Sequence, residues 1–281
     1  MSDPGSPELR SRIRGALRLP RSPNSFRNIA IMSESEQVKE SKNNRRIGAI
    51  LFPALALPIL LLLASCGGRS AEPAGPPREV RIEWLGNQAF RISSSIGTSI
   101  LTDPFADGMG GRSLPSPLKP DIVLISHERP EANNINAMDN QPVIFRGSVG
   151  TGVNNATGIR IRGIPTFRNP DVETVDRMNI VYSWQMDGIR FCFLGALENP
   201  LSSYQVSQLG TVDVLFLPVG GSLSGSDRQT VVSQIRPRVI IPMGRGAGGW
   251  STGQVVRAGG RSTSFSRASL PLQTTTLIFG S

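Results

Sequence analysis

Histidine occurs once in this chain of 281 residues, and cysteine and tyrosine twice each. Two cysteines, Cys66 and Cys192, offer no disulfide framework. Cys192 lies in the apolar run from Ile189 to Leu194 and reads as a small core residue. One imidazole and one buried thiol on separate segments fall short of the three protein ligands a catalytic zinc usually takes. Serines are plentiful, but the single histidine, His127, directly follows Ser126, which argues against a serine-hydrolase arrangement. No Walker lysine follows the glycine run GRGAGG (244–249), so that run reads as a loop rather than a phosphate cradle.

Positive charge is plentiful but unevenly placed. The formal charge is +9; residues 1–65 hold ten Lys+Arg and five Asp+Glu, so the remainder carries 20 − 16 = +4. Arginines after Cys66 are scattered singly, without the basic, aromatic-interleaved face of a nucleic-acid binder, and no nucleic-acid partner is expected. Residues 1–31 are rich in Arg, Pro and Ser, with no usable hydrophobic period, and read as disordered. Met32 offers a second start. After it, Lys39, Lys42, Arg45 and Arg46 form a positive region, Ile47 to Leu63 an apolar core, and LASC (63–66) a close of small residues, the layout of a secretory signal. LASC resembles the bacterial lipobox, whose cysteine is lipidated and becomes the mature N-terminus. The competing reading, an uncleaved membrane anchor, sits near the lower length limit for a span. The expectation is a leader over 1–65, a Gly/Pro linker over 66–78 and one domain over 79–281. The domain would be exported and lipid-anchored through Cys66, at the outer face of the cytoplasmic membrane or in the periplasm or outer membrane.

Within the domain, Val80 to Trp84 alternates apolar and polar residues as a half-buried strand does. Ala89–Ile92 and Ser99–Thr102 read as the next two strands, and Asn134 as the cap of a short helix to Met138. Val143–Phe145, Ile159–Ile164, Asn179–Trp184 and Ile189–Leu194 continue as strands, followed by a helix from Leu201. Val212–Pro218 and Val239–Met243 are fully apolar strands around a helix capped by Ser226 or Asp227. Residues 244–263 read as a long loop, and Leu270–Phe279 as a last strand. The order predicts an α/β domain of two mixed sheets flanked by helices, an αββα four-layer sandwich.

The most informative stretch is Pro120–Asn134, PDIVLISHERPEANN: a buried strand that ends in a cluster of polar residues, where α/β sheets collect ligands. It resembles the metal loop H-x-H-x-D-H of the metallo-β-lactamase superfamily, particularly the branch related to ascorbate-6-phosphate lactonases, which typically writes SHEHPDHNN. Other landmarks fall in the family's order: WLGNQAF (84–90), ILTDPF (100–105), GIPTFRNPD (163–171), DGIRFCFLGALENPL (187–201), VDVLFLPVGG (212–221) and IPMGRG (241–246). Together they extend the resemblance over Val80 to Arg245.

The resemblance implies one or two zinc ions held by histidines and a bridging aspartate. At those positions this chain has Asn87, Arg129, Glu131, Ala132, Arg168, Asn169, Ala196, Phe193, Asn199 and Gly244, and only His127 matches. The expectation is therefore no cofactor and a vestigial metal loop around His127. A carboxylate site for Mg²⁺ or Mn²⁺ from Glu128, Glu131 and Glu198 is opposed by Arg129 and Arg168. Arg129, Arg168 and Arg245 are expected to converge on the vacated pocket. There they form either an ion-pair plug with those glutamates or a site for an anionic ligand. His127 acting as a base would need an orienting carboxylate, and Asp103 is the natural choice. The leading expectation is a non-catalytic ligand-binding or protein-interaction module, a pseudoenzyme. The alternative is a metallo-β-lactamase-fold hydrolase of lactones or phosphoesters working with one metal or none.

Overall fold

The structure, a computed structural model, describes residues 78–167, 174 and 177–280; the leader, Cys66, most of the linker and Arg168 lie outside the described residues. The first half runs β1 (Glu79–Gly86), β2 (Ala89–Ser94), β3 (Ser99–Thr102), β4 (Ile122–Leu124), β5 (Val143–Phe145), β6 (Gly152–Ala156), β7 (Ile159–Phe167), β8 (Met178–Met186) and β9 (Ile189–Phe193). The second half runs α1 (Ser203–Leu209), β10 (Val214–Pro218), α2 (Gly225–Ile235), β11 (Val239–Met243), β12 (Gln254–Arg257), β13 (Ser262–Ser266) and β14 (Thr275–Ile278). Two sheets result, ordered β13-β1-β2-β3-β4-β5 and β12-β14-β11-β10-β9-β8-β7-β6.

The sequence pattern explains the layering. Every residue of β10 and β11 is buried, as strands covered on both faces require, and the two pair in parallel around α2. Ile82, Phe90 and Ile92 of the first sheet meet Trp184, Phe191, Phe193 and Phe216 of the second in the central core. The Phe90 and Phe216 rings lie 4.9 Å apart at 55°. Leu209, Val231 and Ile235 of the two helices cover the second sheet's outer face, over Val181, Cys192, Leu215 and Ile240. Cys192 is fully buried, and burial pushes its thiol up.

The fold class stands as expected, but one outer layer differs. The first sheet's outer face, with Leu101, Val123 and Ile125, is covered by Leu118, Met109, Leu114, Ile135 and Met138 from loops and 3-10 turns. Residues 106–120 carry Gly108, Gly110, Gly111, Pro115, Pro117 and Pro120, a composition that does not propagate a helix. The expected helix after Asn134 is one 3-10 turn, Ile135–Ala137, and the Asn134 amide donates to the Phe105 carbonyl instead of capping it. The cap of α2 is Ser224, whose hydroxyl accepts the Asp227 N–H, rather than Ser226 or Asp227. Residues 244–263 hold β12 and the start of β13, which escaped notice because β12 is exposed at every residue and β13 carries mostly Ser and Thr. β6 (GVNNA) escaped for the same reason.

The two sheets are bolted together near one edge by Tyr182 of β8. Its buried hydroxyl lies 3.0 Å from the Ile125 carbonyl and 2.9 Å from the Phe145 carbonyl, both at strand ends of the first sheet. Tyr182→Phe keeps the ring and strips the donor, so it is expected to lower unfolding free energy by about 1–2 kcal/mol. Urea denaturation with an unchanged m-value is the check.

Candidate functional site

Past the end of β4 the chain passes through Ile125 into Ser126 and His127, and both neighbouring layers fix it there. Asp103, just after β3, is fully buried at φ 34°. One of its carboxyl oxygens accepts the Ser126 N–H at 2.7 Å; the other lies 2.6 Å from Ser126 Oγ, which in turn lies 2.8 Å from His127 Nδ1. From the second sheet, the Ile180 N–H donates to the Ser126 carbonyl at 2.8 Å. Gly195, beyond β9, has φ 58°, and a Cβ there would stand 2.3 Å from the Ser126 Cβ and 2.5 Å from Asn179 Oδ1. Only glycine fits that approach. Asn179 braces the floor, accepting the Ala196 N–H at 2.8 Å and donating to the Leu194 carbonyl and Thr166 Oγ1, each at 3.0 Å.

Burial dominates the electrostatics. It pushes the Asp103 carboxyl up to about 8, against the pull of both Ser126 hydrogen bonds. It pushes the His127 imidazole down to about 4, with Arg129 acting the same way and Glu131 opposing. The proton count on this chain then sets the tautomer. With Asp103 ionised, the Ser126 hydroxyl donates to it and accepts from His127 Nδ1–H, leaving a lone pair on Nε2. With Asp103 protonated, both bonds reverse: the carboxyl donates to Ser126 Oγ, Ser126 donates to Nδ1, and Nε2 carries the hydrogen.

His127 Nε2 is buried and has no hydrogen-bond partner. Glu131 Oε1 stands 3.6 Å away, beyond hydrogen-bond reach. The imidazole lines a cavity of about 300 Å³ with Arg129, Thr166, Arg177, Asn179, Ala196 and Glu198. Arg129 is half exposed there, its Nε 3.3 Å from Glu131 Oε1. Arg245 is not in this cavity; it lines a separate one with Trp84, Asn87 and Arg112. The expected convergence of Arg129 and Arg245 is therefore corrected, because β11 delivers residue 245 to a different opening. Glu128 turns away to a two-pronged pair with Arg146. Burial raises its carboxyl, but Arg146 outweighs that and holds it below the usual range.

The other substituted positions also separate. Ala196 lines the His127 cavity and Ala132 is buried, whereas Phe193 belongs to the central core. Asn87 and Gly244 line Arg245's cavity, and Asn199 a neighbouring one of about 830 Å³. Arg177, just before β8, was not foreseen; its only sequence signal was its place after GIPTFRNPD. Residues 249–253 (GWSTG) match a G-x-S-x-G string that the serine reading passed over. Ser251 is exposed in a loop that leads to β12, without the strand-to-helix elbow that gives the motif meaning.

Among the described residues, no three His, Cys, Asp or Glu side chains gather where an ion would sit. The described donors do not fit a metal centre.

A family model described as the beta-lactamase superfamily domain matches residues 81–244. A UPF0173 metal-dependent hydrolase of Methanobrevibacter smithii is 25% identical over 194 residues, covering 58% of this chain and 81% of that protein. A UPF0173 metal-dependent hydrolase of Nitratidesulfovibrio vulgaris is 24% identical over 195 residues, covering 59% and 80%. A solved structure of a metallo-beta-lactamase superfamily protein from Thermotoga maritima aligns with TM-score 0.55 at 24% identity, covering 72% of this chain and 100% of that one, and shows the shared fold. These relatives overturn the expectation of a chain without a cofactor, because proteins this similar are named metal-dependent. The described donor set and those names disagree.

The raised Asp103 carboxyl gives a pH signature. Between about pH 4 and pH 8 the folded protein keeps a proton that the unfolded chain releases, so this group makes stability fall as pH climbs through that window. Asp103→Asn removes the titration and still accepts the Ser126 N–H. Its melting temperature relative to wild type is expected to rise steadily from about pH 5 to about pH 8, read by thermal melts across buffers.

Proposed function

Since the chain belongs to the beta-lactamase superfamily, we propose that it is a hydrolase of small anionic esters or lactones acting in the His127 cavity. The observation that carries this reading is the hydrogen-bonded chain Asp103–Ser126–His127, which leaves Nε2 without a hydrogen bond, 3.6 Å from Glu131 Oε1, on an imidazole that lines the cavity. A positioned imidazole whose other nitrogen is fixed by a carboxyl-linked partner is equipped to take a proton from water. Arg129 and Arg177, which line the same cavity, supply fixed positive charge for a carboxylate or phosphate on the substrate. His127 serves as the base only in the tautomer that leaves Nε2 unprotonated, which requires Asp103 to be ionised.

A second reading is favoured by one observation: the described donors do not converge on an ion. In it, the pocket captures an anionic ligand without turning it over, as a pseudoenzyme, and the module serves binding or protein interaction. The leader reading completes the proposal: the domain is exported and anchored to the membrane by a lipid on Cys66.

Turnover of aryl phosphoesters and lactones by the purified protein, assayed with and without added divalent metals, separates the two readings. Hydrolysis is expected to rise with pH through about 8 as Asp103 ionises, and His127→Gln is expected to cost about 10²–10⁴ in kcat/KM. Asp103→Asn, which donates to Ser126 and locks the hydrogen on Nε2, should abolish the alkaline rise. Saturable binding with no turnover under any metal condition would select the binding module. For the anchor, Cys66→Ser is expected to move the protein from the membrane fraction to the soluble fraction, and unchanged fractionation would refute it.

A further inference from the structure

We propose a second anion-binding site, independent of the His127 cavity, in the opening between the β1–β2 turn and the glycine loop after β11. This opening, of about 350 Å³, is lined by Trp84, Asn87, Phe90, Arg112, Arg245 and Phe279, among others. Two of its side-chain donors, Asn87 Nδ2 and Arg112 Nη1, are out of contact with solvent and have no hydrogen-bond partner. Native proteins satisfy buried donors, so two unmet ones lining the same cavity call for an acceptor supplied from outside.

The charge points the same way. Arg112 sits over the Trp84 ring at 4.7 Å from its centroid and Arg261 at 5.7 Å, while Arg245 lines the wall. Among the described residues, none of these three guanidinium groups has a carboxylate within ion-pair distance. Glu83, next to Trp84 on β1, is engaged by Arg91. No acidic residue lines the opening. The contact with the Trp84 ring favours a defined position for the Arg112 guanidinium, whose fork matches an oxyanion.

The remaining walls fix the rest of the ligand. Gly244 and Gly246 both have φ 86° and carry no side chain into the opening, so the backbone itself forms one side. Phe90, Ile278, Phe279 and Pro242 supply apolar surface to the same opening. The site suits a small organic anion: a phosphate or carboxylate head toward Arg112 and Asn87, and a compact apolar or aromatic body against the phenylalanines.

Calorimetric titration of the full-length His127→Ala protein with phenyl phosphate tests this without interference from turnover. Saturable binding is expected, with a component weakened about ten-fold or more by Arg112→Gln and by Asn87→Asp. Asn87→Asp suits its positive φ of 47° and sets a negative charge against the head. Arg245→Gln, at an exposed position, serves as a third variant should Arg112→Gln lower the ligand-free melting temperature. Inorganic phosphate should bind more weakly than phenyl phosphate if the apolar wall contributes. Absence of binding up to about 10 mM, or binding that the Arg112, Asn87 and Arg245 variants all leave unchanged, would overturn the proposal. Neither result bears on hydrolysis at His127.

Discussion

The structure depends on how the carboxyl end of β4 is held between two sheets. Ser126 is gripped three times: by Asp103 through its amide and hydroxyl, by the Ile180 N–H through its carbonyl, and by the bare Cα of Gly195 pressed against its side chain. Tyr182 ties the preceding carbonyl to the same sheet. These contacts bury a carboxyl, a hydroxyl and an imidazole where water cannot screen them, and low polarity there makes each proton's position matter. The orientation of His127 follows from the way the sheets are joined, rather than from any one residue of its own loop.

Around that fixed histidine, the charges of the pocket have been redistributed relative to what the family resemblance implies. Arg129 pairs with Glu131 and Arg146 takes Glu128, so the carboxylates nearest the histidine are committed to guanidinium groups. The positions at which the resemblance implies metal donors line more than one opening. Ala196 faces the His127 cavity, and Asn87 and Gly244 face another. A frame whose strands fit together through apolar packing tolerates such exchanges at strand ends, because those ends contribute little to the core.

Much of the fold was legible because the core strands are strongly patterned: VLFLP and VIIPM announce buried parallel strands, and β1 alternates. The edge strands were not, since β6 and β13 carry mostly Gly, Asn, Ser and Thr and β12 leaves all four residues exposed, so no alternating apolar pattern marks them. His127 was legible as the only imidazole, and Asp103 as its natural carboxylate. That Ser126 would stand between them was not, because the bridge depends on β3 and β4 ending side by side in parallel. Arg245 was misplaced for a related reason: sequence order showed that it follows a strand, but not that β11 lies two strands away from β9. Arg112 and its stacking on Trp84 carried no signal, since a glycine-rich loop brings the two together.

Cys192 has a consequence of its own. Its sulfur is enclosed beneath the second sheet's helical cover and disfavours the thiolate. If Cys66 carries a lipid, Cys192 is the mature chain's sole sulfhydryl. Alkylating reagents can then reach it only when the helical cover lifts, so the pace of labelling becomes a clock for how often that layer opens in the native protein.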